Sequence, residues 1–170
     1  MIRNTRANAG IALPSRRAET VLFTPAESAR ERAARWEEEL RERLAAAPAQ
    51  QASMSGRILL QSAGSSPAAW RSAMESFSDA AWSREWVERG AIEGCWREKI
   101  GALPALAKAE GGVVVFTQFI ATQEALDAAL RAAGVRTWMI NGQTPAPERQ
   151  PMTDAFRREG GALLLTRSGT

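Results

Sequence analysis

The stretch from Gly111 to Thr166 switches repeatedly between strand-like and helical spacing, and this limits the fold more than any other feature of the chain. "VVVFT" (113–117) is a continuous apolar run of strand length, as expected for a strand buried on both faces of a parallel sheet. "TQEALDAALRAAG" (122–134) has helical spacing, with Leu126, Leu130 and Ala133 inward and Gly134 as its stop. "VRTWMI" (135–140) reads as a second strand and "NGQTPAP" (141–147) as a loop. "ERQPMTDAFRREG" (148–160) reads as a helix with Met152, Ala155 and Phe156 on one face, and "ALLLT" (162–166) as a third strand. This βαβαβ order with short connections predicts an α/β fold with one parallel sheet, built from Val113–Thr117, Val135–Ile140 and Ala162–Thr166. No helical pattern follows "ALLLT", so the third strand is expected to leave apolar surface bare.

Upstream the chain reads as mostly helical. "RRAETVLF" (16–23) puts Glu19, Val21 and Phe23 on one side, the pattern of a short strand. "TPAE" then offers Thr24 as a cap, Pro25 for a first turn and Glu27 to complete a capping box. The helix that follows runs to about Ala47, with Ala29, Ala33, Trp36, Leu40 and Leu44 as its apolar stripe. Its opposite face, dense in Arg and Glu, reads as solvated. "APAQQASMSG" (47–56) is poor in apolar residues and reads as a linker, "RILLQSAG" (57–64) as a short helix. Ser66 and Pro67 restart a helix whose inner face carries Trp70, Ala73, Met74 and Phe77. Residues 80–108 read as helical pieces broken at Gly90, Gly94, Gly101 and Pro104, carrying Trp82, Trp86, Trp96, Ile100, Leu103 and Leu106. Helical spacing favours core packing of the tryptophans over base stacking.

Absences narrow the chemistry. The chain has no histidine, which removes Ser-His-Asp and Cys-His catalysis and the commonest zinc ligand sets. Cys95 is the only cysteine, so no disulfide forms within the chain and a reducing compartment is the default. No apolar run reaches the roughly 18 residues of a membrane helix. Net charge is only +3, but Arg3, Arg6, Arg16 and Arg17 lie in a first segment without acidic residues. Such a segment can meet phosphates or be a solvated terminus. Lys99 and Lys108 are the only lysines among 22 basic residues, a coding bias that weakens arginine content as evidence for nucleic acid.

Ligands of open α/β sheets collect at the carboxyl ends of strands. Three polar clusters fall there: Thr117-Gln118, Asn141-Gly142 and Thr166 to Thr170. In order and spacing they resemble superfamily-two helicases, with "VVVFTQF" similar to motif IV, "INGQTPAPERQPMTDAF" to the stretch after it, and "LLLTRSGT" to the start of motif V. The upstream half resembles the Swi/Snf-type ATPases, especially bacterial members related to the RNA-polymerase-associated translocase. "IRNTRANAGIALPSRRAETVLFTPAE" is similar to the exit from their first RecA-like lobe, and "LLQSAGSSPAAW" to their Ser-Ser-Pro helix start. Lys99 falls where a lysine often precedes the helix before motif IV.

The resemblance implies an incomplete RecA-like sheet preceded by a helical segment. It divides the chain into a first-lobe exit (1–24), a helical insertion (25–108) and the first half of the helicase C-terminal lobe (109–170). The parent would be an ATP-dependent translocase or remodeller of double-stranded DNA, using ATP and Mg²⁺. Its implied partners are DNA, a first RecA-like lobe and RNA polymerase or another DNA-bound complex, in the bacterial cytoplasm at the nucleoid. Thr117, Gln118, Gly142, Ser168 and Gly169, with Arg3, Arg6 and Arg16, would lie along the nucleic-acid track. Ser168, Gly169 and Thr170 would also approach ATP between the lobes, while Arg149 would anchor its helix and touch no ligand. The other reading of Thr117 and Gln118 is a satisfied strand end that caps the next helix.

The chain has no G-x-x-x-x-G-K-[ST] cradle, no Asp-Glu pair for Mg²⁺ and no arginine finger, so by itself it is expected to be inactive on ATP. Two other readings stand beside this one: a strand-separating helicase of the same superfamily, and a non-enzymatic α/β interaction module. The Ser-Ser-Pro insertion disfavours the first. A sheet with both faces covered would support the second.

Overall fold

The computed structural model describes residues 18–90, 92 and 96–166. Arg3, Arg6, Arg16, Ser168, Gly169 and Thr170 lie outside these residues. Two cores organise the rest, one among helices and one between helices and a sheet.

The helical unit begins with α1 (Glu27–Ala45), which buries Trp36 and Leu40 as the stripe predicts. Its start differs from the sequence expectation. Ala26 is the N-cap and is extended (φ −57°, ψ 150°), so the first turn begins beyond the reach of Thr24. The Glu27 carboxylate is taken by Arg30, leaving no capping box. Residues 18–23 form no strand: they pair with no strand among the described residues, and Val21 and Leu22 are exposed.

The expected linker at 47–56 is largely helix, because α2 spans Ala49–Ser65. Its small residues are the reason. A Cβ on the buried Gly56 would lie 2.6 Å from the Leu44 side chain, so α1 and α2 pack closely where no large side chain intervenes. Ser66 caps α3 (Pro67–Glu75), accepting from Ala69 N at 3.0 Å, and Asp79 caps α4 (Ala80–Glu88) in the same way through Trp82 N. Trp36, Leu40, Leu59, Trp70, Met74, Trp82, Trp86 and Ile92 form the core of this unit. Trp36 and Trp70 meet edge to face at 6.1 Å, a geometry worth about 0.5–1.5 kcal/mol beyond the area they bury.

The chain breaks at Gly90, whose φ of 96° ends the helical run. Helix α5 (Trp96–Ala109) then passes through Gly101 and Pro104 without interruption, contrary to the expected breaks.

Strand β1 is Val113–Thr117, β2 is Thr137–Ile140 and β3 is Ala162–Thr166, all parallel, in the order β1-β3-β2. The sheet matches the sequence expectation except that β2 starts later than Val135. The path from β1 to β2 skips a position and the path from β2 to β3 turns back. Right-handed crossovers then place the connecting helices α6 (Ile120–Ala132) and α7 (Ala146–Glu159) on opposite faces. Leu126 and Leu130 of α6 pack with Val113, Val115, Met139, Ala162 and Leu164, while Phe156 of α7 meets Trp138 edge to face. Ala133 is exposed as the C-cap of α6, so it does not face inward.

Burial corrects two further expectations. β3 is the central strand and is mostly buried, so it leaves no bare surface. β1 is an edge strand, and among the described residues nothing covers its α7-side face: Val114 is 46% and Phe116 78% exposed. A continuous apolar run therefore does not report burial on both faces here. Entry of β3 between its neighbours requires Gly160 and Gly161, both at positive φ. A Cβ on Gly160 would lie 2.0 Å from the Gly111 carbonyl oxygen, and one on Gly161 2.4 Å from that of Arg136.

Candidate nucleic-acid interface

Parallel pairing brings the carboxyl ends of all three strands to one edge of the sheet. The Thr117 and Thr166 hydroxyls face each other there, with Oγ1 atoms 2.5 Å apart across the β1–β3 register. Thr117 Oγ1 also reaches the Phe119 carbonyl at 3.4 Å. It does not cap α6, whose N-cap is Phe119 with no side-chain bond. Gln118 is exposed and donates to Gln61 Oε1 on α2 at 2.8 Å.

The residue that organises this edge is Gln123, which the sequence reading does not single out. It is fully buried on α6. Its amide donates to the Leu164 carbonyl at 2.8 Å and the Ile140 carbonyl at 3.1 Å, and its Oε1 accepts from Asn141 Nδ2 at 2.9 Å. Asn141 in turn accepts from Gln143 N at 2.9 Å, which shapes the turn carrying the exposed Gly142. Arg149 donates to the carbonyls of Thr144 and Asn141 at 3.0 and 3.4 Å, so it ties α7 to this turn.

The helical unit is fastened beside the same edge. Ser65 and Ser66 meet the Thr122 hydroxyl at 2.8 and 2.7 Å, and Lys99 Nζ donates to the Gly64 carbonyl at 2.8 Å. Ser66 thus caps α3, and Ser65 and Ser66 together dock it on α6.

Two helix N-termini open on this edge, α6 after β1 and α7 after β2. Neither has a side-chain cap, so first-turn N–H groups of α6 have no acceptor among the described residues. Uncapped N–H groups and the positive end of a helix dipole favour an anion. No charged side chain occurs between Gly111 and Gln123, so at α6 the attraction rests on backbone dipoles alone. By contrast α7 has Pro147 without an N–H, a satisfied Glu148 N–H and the Glu148 carboxylate in its first turn, and is the poorer anion site.

A second polar region is the open groove of about 590 Å³ on the helical unit, lined by Arg32, Arg35, Glu39, Trp86 and Arg89. Most of its charge is committed internally. Glu39 accepts from the indoles of Trp82 and Trp86 at 2.8 and 2.9 Å, and Arg89 pairs with Glu85 while lying over Trp86. The Trp86 and then the Trp82 N–H bonds hold the Glu39 carboxyl below its usual range, against the opposing effect of burial.

Among the described residues no helix is long and apolar enough to cross a membrane, and no group of acidic, His or Cys side chains could hold a metal ion. No protein-family model, no curated protein and no solved structure matches the chain.

Proposed function

We propose that this chain supplies part of the second, RecA-like lobe of an ATP-dependent DNA translocase of the Swi/Snf kind. Its share of the work is to hold phosphates of double-stranded DNA at the carboxyl edge of its sheet. The observation that carries the reading is the uncapped N-terminus of α6 lying with exposed Gln118 and Gly142 at one strand edge. Backbone N–H groups and neutral amides bond phosphate oxygens without reading bases, as a translocase requires. Arg3, Arg6 and Arg16 would extend the track, and Ser168, Gly169 and Thr170 would carry it toward ATP and Mg²⁺ held by a first lobe. The bare face of β1 disfavours the non-enzymatic module, which would cover both faces of its sheet.

Phosphoryl transfer needs a phosphate cradle, a Mg²⁺ site, a positioned water and a charge-stabilising arginine together. The finger alone is worth on the order of a thousandfold or more in rate. The 170-residue chain is therefore expected to show no ATP turnover, with or without double-stranded DNA. Steady-state turnover stimulated by DNA would contradict the proposal.

A further inference from the structure

We infer that the helical unit, α1 to α4, turns as one body on the sheet unit about the α3–α6 contact, and that a polar latch at that contact holds it docked. The pivot does not rest on the ATPase reading; only its consequence for Gln118 does.

The two units have separate cores. One closes around Trp36, Trp70 and Trp86 within α1 to α4, the other around Leu126, Leu130 and Leu164 between helices and sheet. No residue belongs to both, and no partly buried apolar residue packs against both. Trp96 and Ile100 of α5 pack on the second core, so α5 moves with the sheet. Each unit therefore keeps its own core when the other turns.

What joins them is small and polar. Hydrogen bonds between the units gather at the end of α2 and the start of α3. Gln118 Nε2 donates to Gln61 Oε1 at 2.8 Å, Ser65 and Ser66 meet the Thr122 hydroxyl at 2.8 and 2.7 Å, and Lys99 Nζ donates to the Gly64 carbonyl at 2.8 Å. Helix α3 packs on α6, while α1, α2 and α4 make no comparable contact with α5, α6 or a strand among the described residues. The chain passes between the units once, from α4 to α5. One passage and one contact define a pivot, because rotation there strains no second attachment. Hydroxyl and amide bonds at the contact exchange for bonds to water when it opens, so each opposes the motion only weakly. Small polar interfaces between units of one chain leave relative motion as the default.

The latch flanks the start of α6. Gln118 lies two residues before the helix and Thr122 in its first turn. With the helical unit docked, the Gln118 amide is occupied by Gln61; with the unit turned away, that amide is free at the carboxyl edge of the sheet. On the reading proposed above, the pivot sets when Gln118 can meet a phosphate.

The test uses the full chain with Cys95→Ser and pairs of spin labels on introduced cysteines, with distances read by pulsed electron paramagnetic resonance. Arg41→Cys with Glu148→Cys, both at exposed sites, reports across the joint from α1 to α7. Arg41→Cys with Arg71→Cys, also exposed, reports within the helical unit. The latch variant combines Gln61→Ala, Thr122→Val and Lys99→Met, and keeps Ser66 as the cap of α3. The expected result is one main distance across the joint in the parent. In the latch variant that distance is lost as the main population and replaced by a broad set, while the distance within the helical unit stays narrow and unchanged. A latch variant that keeps the parent's distance across the joint would overturn the inference, as would a parent without a main distance there. Broadening within the helical unit would overturn it too, because the unit would then not move as one body.

Discussion

Gln123 donates its side-chain amide to the carbonyl of Leu164 across 2.8 Å, from the first turns of α6 to the middle of the central strand. The same nitrogen holds the Ile140 carbonyl, so one buried side chain fixes the end of β2 and the middle of β3 relative to α6. Gln123→Leu would remove one bond to each of those carbonyls and leave the Asn141 amide without its acceptor, at a cost of about 1–3 kcal/mol. Gln123→Glu should cost more at neutral pH, because a carboxylate oxygen would face two carbonyl oxygens. Urea midpoints of the two variants against the parent check both statements. Equal midpoints for glutamate and glutamine would show that the amide is not a donor.

Glu39 gives the helical unit a pH dependence. Its folded pKa is lowered, chiefly by the Trp86 and Trp82 indole donors. The stabilisation is therefore complete above the ordinary carboxylate value of about 4.3 and is lost as pH falls through the lowered folded value. Glu39→Gln should cost no more than about 1 kcal/mol at neutral pH, because its oxygen still accepts from the indoles and solvent screens the lost charge. The gap between parent and variant should stay constant from neutral pH down to about 5 and close at lower pH. Denaturation at several pH values measures it; a gap that widens on acidification would reverse the assignment.

Ser66 and Thr122 couple the two units through a 2.7 Å hydroxyl contact. Ser66→Ala also removes the cap on Ala69 N, worth about 1 kcal/mol. Thr122→Val keeps the shape and removes only the hydroxyl. A double-mutant cycle should give a coupling of roughly 0.5–1.5 kcal/mol. Strict additivity would show that the units dock without help from this contact.

The legible parts of the fold were those where a long pattern and a strong local signal agree. The period change at Gly111, the Ser66-Pro67 helix start and the positive-φ Gly134 stop all reappear in the structure. Misreadings came from tertiary causes. Residues 49–56 look like a linker because their helix packs through Gly56 and alanine, which carry no hydrophobic signal. "VVVFT" looks doubly buried because composition cannot show that α7 lies over β2 and β3 and leaves β1 bare. Gln123 was invisible because a lone glutamine in a helix reads as surface, and only the strand order puts two carbonyls beside it. Gly160 and Gly161 left a signal that could have been used, since paired glycines before a strand mark a close backbone approach.

Binding to double-stranded DNA tests the central claim most directly, by fluorescence anisotropy of the full chain at about 50 and 200 mM salt. The account predicts weak binding without sequence preference that falls steeply between those conditions. Replacing Arg3, Arg6 and Arg16 with alanine should lower the salt slope by about one for each phosphate that is no longer neutralised. Gln118→Glu puts a negative charge on the exposed strand end without touching the Thr117–Thr166 pair, and should weaken binding several-fold at low salt. Binding that persists unchanged at the higher salt, that prefers one sequence, or that ignores Gln118→Glu would contradict a phosphate track at this edge.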